Sequence, residues 1–151
     1  MRGRISGWTA SLAENGVPKT GKTLDFQAHN MEHQLSAYTN CNHGEGLAVL
    51  HPAYYRHIVK DATAKFCRFA TEVWGLDSRD YANDEELARG GIDALAAFIK
   101  EVGLPTTLTE LGWGEAEFAL LPEIAESCFI SQGAYRALTH AEILEIYEEC
   151  R

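Results

Sequence analysis

What this chain of 151 residues has little of narrows its class before any motif is considered. It has no long hydrophobic run: the apolar stretches are short pieces such as Leu47 to Leu50, far from the ~20 residues that cross a bilayer, so a membrane role is not expected. It has no C-x-x-C pair. Cys41, Cys67, Cys128 and Cys150 are widely spaced, a poor disulfide framework, and they read as free thiols of a reducing compartment. It is short of basic residues, with 13 Lys plus Arg against 22 Asp plus Glu. A formal charge of -9 repels a phosphate backbone, and no cationic patch is visible, so nucleic acid is not an expected partner. Arg2 and Arg4 are followed by a polar stretch rather than an apolar core, which excludes a secretory signal and points to the cytoplasm. Repeats, linkers and β-branched runs are missing as well.

What remains is helical spacing, with Ala, Leu and Glu dominating the periodic segments, and the expectation is an all-α fold in one domain spanning 1–151. At this length such a domain buries roughly two-thirds of its unfolded surface. The pattern predicts a first helix over Ile5 to Ala13, with Ile5, Trp8 and Leu12 on one face and Asn15-Gly16 ending it, then a loop from Val17 to Leu24. Asp25 is the expected N-cap of a second helix reaching about Tyr38. A third runs from about Gly44 to Val59, with Pro52 as a kink or fresh start. A fourth, Ala62 to Trp74, places Phe66, Phe69, Ala70 and Val73 inward and closes on Gly75. The next covers Asp84 to Val102 with Ile92, Leu95, Phe98 and Ile99 inward. Leu108 to Gly112 reads as a turn, Pro122 to Phe129 as a short helix with Ile124 and Ala125 inward, and Thr139 as the cap of a last helix to Cys150.

The chemistry concentrates on the second helix. His29 and His33 lie four residues apart, which puts both imidazoles on one face about a turn apart. His43 follows at the turn into the next helix, and an antiparallel return brings it back over the His29 end, so three imidazoles converge. Imidazole suits zinc, iron, copper and nickel and also titrates near neutral pH, so the cluster could hold a metal, move a proton, or both. A chain with six histidines also reaches this spacing by chance, with rings satisfied by backbone carbonyls. Adding Cys41 gives His29, His33, Cys41 and His43, the donors of a closed structural zinc site. His51, His57 and His140 read as solvated or capping residues.

The segment AHNMEHQLSAYTNCNHGEGLAVLHPA resembles the signature of the iron-containing, or group III, alcohol dehydrogenases, most closely their butanol-dehydrogenase-like branch. KFCRFATEVWGLD, GIDALAAFIKEVGLPTTLTELG and LTHAEILEIYEEC look like the same family in the same order, so the resemblance covers nearly the whole chain. It implies the all-α, multi-helix C-terminal domain of the dehydroquinate synthase-like, iron-containing alcohol dehydrogenase fold. In this family a separate N-terminal α/β domain binds NAD or NADP, and this sequence is similar only to the helical half. Carried over by position, His29 and His43 match metal ligands for a divalent ion, Fe2+ or Zn2+, and His33 matches a histidine beside the metal with a catalytic or substrate-facing role. The other two family ligands, an Asp and a His four residues apart, come from an earlier helix not found in this sequence.

The resemblance implies NAD(P)-linked interconversion of a small alcohol and its aldehyde, completed by missing N-terminal sequence or by a nucleotide-binding partner chain. Without that half the chain carries part of the mechanism, or is a non-catalytic helical remnant or interaction module. In either case Phe26, Met31, Leu35 and Trp113 are expected to form an exposed apolar patch that favours homo-oligomers.

Overall fold

A computed structural model describes residues 2–22, 24–132 and 135–151, without the side chains of residues 2–6. The Arg2 and Arg4 side chains, the Ile5 part of the first helical face and Thr23 of the expected loop lie outside the described residues. The described residues form helices and turns with no strand among them, so the chain is all-α. Among them no helix is long and apolar enough to cross a membrane.

The helices are α1 (Arg2–Glu14), α2 (Gln27–Thr39), α3 (His43–Ile58), α4 (Thr63–Arg68), α5 (Asp84–Glu101), α6 (Glu115–Phe118), α7 (Leu121–Ser127) and α8 (His140–Glu149). Local chemistry explains several bounds. Asn40 ends α2 in the left-handed region at φ 55°, a conformation asparagine tolerates better than most side chains. Two residues later the Asn42 side chain accepts from the amides of Gly44 (3.0 Å) and Glu45 (3.3 Å), which starts α3 at His43. Thr139 caps α8 as expected, and Glu142 returns the bond to the Thr139 amide at 2.8 Å. Asp25 lies one residue outside its expected position. The cap position is Phe26, and Asp25 accepts from the Gln27 amide (3.0 Å) with one oxygen and from the Tyr54 hydroxyl (2.6 Å) with the other, tying the entry of α2 to α3. Pro52 does not mark a fresh start, since α3 continues through it as one helix.

The core lies where α2, α3, α5, α7 and α8 meet, and it includes Met31, Leu50, Ile92, Ile124, Ile143 and Tyr147. Tyr147 donates to the Met31 carbonyl at 2.8 Å and so anchors α8 to α2. The segment Phe69–Val73 that follows α4 packs closely on α5: a Cβ on Gly91 would lie 2.8 Å from the Ala70 Cβ, so only glycine permits it.

Apolar expectations change at Val73, at Phe98 and over the expected patch. Val73 is 61% exposed, because Phe69–Val73 forms a π-turn whose extra residue rotates the end of the fourth helix away from the register of Phe66 and Ala70. Phe98 sits at the edge of the α5 stripe, exposed on one side and 5.8 Å from the Trp74 ring on the other. On α1, Trp8 (71%) and Leu12 are exposed, since that helix lies beside the Val17–Lys19 turn rather than over the core. The apolar patch expected from Phe26, Met31, Leu35 and Trp113 is not there. Met31 and Leu35 are fully enclosed by the helices around α2, Trp113 is 6% exposed, and only Phe26 faces solvent.

Candidate metal centre

The loop between α2 and α3 is short enough that the two helices return antiparallel. The contacts run in order: Ser36 with Cys41, Glu32 with His43, and Asp25 with Tyr54. This geometry carries His43 back over α2. The ring centroids of His29 and His33 are 6.1 Å apart, and His43 lies 5.3 Å from the first and 5.2 Å from the second. One ring nitrogen from each lies within 4.8 Å of the others, a spacing that one ion can bridge. The donor set, three imidazoles and no thiolate, suits a first-row divalent cation.

His29 is half-buried, with the Phe26 ring stacked on it at 4.3 Å. Burial lowers its pKa, and positive charge on His43 or His51 would lower it further, so the ring favours the neutral form that a cation requires. His33 and His43 are exposed on the open side. His43 is held from behind: its Nδ1 is bound to Oε2 of Glu32, a carboxylate with no exposed surface, whose Oε1 accepts from the Ser36 hydroxyl. Glu32 lies outside the residues that the histidine spacing marks. Its signal was a Glu on the same helix as the histidine pair, with Ser36 one turn on.

Cys41 stands outside the imidazole group. Its thiol lies 3.5 Å from Ser36 Oγ and 3.9 Å from Glu32 Oε1, behind the ring of His43, so the closed four-ligand arrangement is not formed. All four cysteines are free. His51 is closer to the site than expected, 6.3 Å from His29, but its Nδ1 donates to the Leu47 carbonyl at 2.8 Å, and burial lowers its pKa. His57 faces Glu142 at 3.3 Å and His140 faces Glu126 at 3.4 Å, both far along the chain from the cluster. A cleft of about 400 Å³ opens beside His29, walled by Tyr55, Phe66, Phe69 and Tyr135, with Asp25 and Lys65 as its charged groups. Burial pushes the Tyr55 phenol up to about 12, so it is a hydrogen-bond donor there and not an anion.

The sequence profile of the Fe-containing alcohol dehydrogenase family, C-terminal, matches residues 10–150. The chain belongs to the iron-containing alcohol dehydrogenase family. Among curated members of this family, NADH-dependent butanol dehydrogenase A of Clostridium acetobutylicum is 34% identical over 144 residues, which are 94% of this chain and 36% of that protein. The NADPH-dependent aldehyde reductase YqhD of Escherichia coli is 29% identical over 145 residues, 95% of this chain and 37% of its own length. In three dimensions, the crystal structure of NADH-dependent butanol dehydrogenase A from Thermotoga maritima superposes with a TM-score of 0.82 at 27% identity, covering 95% of this chain and 37% of that one. The chain therefore spans little more than a third of the alcohol dehydrogenases it matches.

Proposed function

We propose that this chain is the metal side of an NAD(P)H-dependent alcohol dehydrogenase or aldehyde reductase: one helical domain that interconverts alcohol and aldehyde only when joined to a nucleotide-binding half. The observation that carries the reading is the convergence of His29, His33 and His43 in a member of this family. His29 and His43 would hold Fe2+ or Zn2+, and a bound ion of this kind supplies Lewis acidity toward the alcohol or aldehyde oxygen. His43 presents Nε2, because Nδ1 is engaged by Glu32. His33, exposed beside the pair, relays the hydroxyl proton or orients the substrate. The nicotinamide carries the hydride, and its binding residues belong to the rest of the enzyme, either contiguous sequence or a separate chain. The Phe26 ring covers one face of His29, and the adjoining cleft is lined for an apolar substrate body.

The test is to mix the purified chain with a candidate nucleotide-binding half and follow aldehyde-dependent NAD(P)H oxidation, alongside metal analysis of the chain alone. Activity in the mixture that disappears in His29→Ala and His43→Ala supports the proposal. No activity in any mixture and no bound metal overturns it in favour of a non-catalytic helical remnant or interaction module. The same preparation tests for a structural zinc site: the far-ultraviolet circular dichroism is expected to be unchanged by a chelator, because the core forms from apolar contacts across five helices. Size-exclusion chromatography with light scattering gives the oligomeric state.

A further inference from the structure

We infer that Glu32 is a positioning residue for His43: its buried carboxylate fixes the imidazole with Nδ1–H turned inward and Nε2 turned toward His29 and His33, and so raises the affinity of the cluster for a divalent cation. This rests on the proposed role of His43 as a ligand.

A glutamate with no exposed surface needs partners, since an isolated buried charge is strongly disfavoured. Glu32 has partners at both oxygens, with the Cys41 thiol a third, more distant one 3.9 Å from Oε1. Ser36 Oγ donates to Oε1 and His43 occupies Oε2, and among the described residues no Lys or Arg bonds to either oxygen. An ionised carboxylate only accepts, so the nitrogen facing Oε2 carries the hydrogen. In a neutral imidazole the lone pair is then on Nε2, the nitrogen left free for the open side.

The neighbouring helix makes room for this arrangement. A Cβ on Gly46, less than one turn beyond His43, would lie 2.8 Å from Oε1 and 2.9 Å from Cγ of Glu32. A residue without a side chain is required there for the carboxylate to lie flat against α3. Glu32, Ser36, His43 and Gly46 thus form one unit spread over two helices. A carboxylate that merely tied α2 to α3 would affect stability; one that positions the ring controls tautomer and affinity.

The test uses the metal-free chain first. Long-range 1H–15N spectra are expected to show His43 as a single Nδ1–H tautomer in the natural protein and as a mixture in Glu32→Leu. Calorimetric titration with Zn2+ should then show affinity lowered about 10- to 100-fold in Glu32→Leu. Glu32→Gln keeps an accepting oxygen, so it should restore the tautomer and most of the affinity. Gly46→Ala, which displaces the carboxylate without removing it, should weaken Zn2+ binding in the same direction. A folded Glu32→Leu chain that keeps the Nδ1–H tautomer and binds Zn2+ within twofold of the natural protein overturns the inference. If Glu32→Leu does not fold, natural affinity and tautomer in Gly46→Ala overturn it. A natural chain that takes up no Zn2+ overturns the metal reading instead, while the metal-free spectra still decide what Glu32 does to the ring.

Discussion

The α2–α3 corner and the α7–α8 end are both built on α2, with opposite chemistry. At the α7–α8 end Leu121, Ile124, Ile143 and Ile146 are enclosed, and the Tyr147 hydroxyl bonds to the Met31 carbonyl with the Cys128 thiol 3.1 Å away. At the α2–α3 corner His33 and His43 face outward, and the enclosed polar group, Glu32, serves one of them. The difference teaches that one helix separates stability from reactivity: its carbonyl and apolar side hold the fold, while its imidazoles are left open to a ligand. Substitutions at the two places should therefore fail in different assays.

The largest expected effect is at the closed end. Tyr147→Ala removes a fully buried ring and its hydrogen bond, and should lower stability by about 3–5 kcal/mol in urea unfolding. A loss below about 1 kcal/mol would break the comparison. Next comes His33→Gln. The exposed ring should be replaceable with a stability change within about 0.5 kcal/mol, and with Zn2+ affinity retained, while the rate of the reconstituted enzyme falls about 100-fold. A comparable fall in Zn2+ affinity would make His33 a third ligand and erase the division of roles.

A smaller effect is expected where α8 begins. The Arg136 guanidinium (2.6 Å), then the Thr139 amide, hold the Glu142 carboxyl far below the usual carboxylate range. Its contribution is present in full above the unfolded value of 4.5 and is lost as pH falls through the depressed folded value. Glu142→Ala should remove about 1–2 kcal/mol at neutral pH and flatten the decline of stability below pH 4.5 in acid-titrated thermal melts. Smallest is Val73→Thr, within about 0.5 kcal/mol by the same melts, because the π-turn has turned that side chain to water. A loss above 1 kcal/mol would put Val73 back in the core, as its spacing suggests.

That last position marks the limit of what periodicity reveals. The helix order apart from the short α6, the Thr139 cap and the inward Ile124 and Ala125 were legible, because caps and stripes are local properties of a few residues. Val73 was not, since a single π-turn shifts register without a composition signal of its own. Met31 and Leu35 are expected on an open face because spacing marks an apolar residue without saying which neighbour covers it; α3 and α7 pack on α2, and Tyr147 of α8 reaches the Met31 carbonyl from the far end of the chain. At the site, the three histidines were readable from position and the antiparallel return. Glu32 was hidden because a glutamate on a helix is ordinarily a solvated residue, and only the bare Gly46 backbone opposite allows it to be buried.

The antiparallel return of α2 and α3 also bears on the order of assembly. The Glu32–His43 contact joins residues 11 apart in sequence, whereas the Tyr147–Met31 bond joins residues 116 apart. Short closures of this kind form in about 10–100 ns, and distant ones wait on the loop entropy of everything between. The imidazole cluster is therefore expected to gather while the chain is still expanded, with the α8 anchor arriving last. Tyr147→Phe should accordingly speed unfolding more than it slows refolding in stopped-flow measurements, and a metal ion present during refolding would meet its ligands before the fold has closed around them.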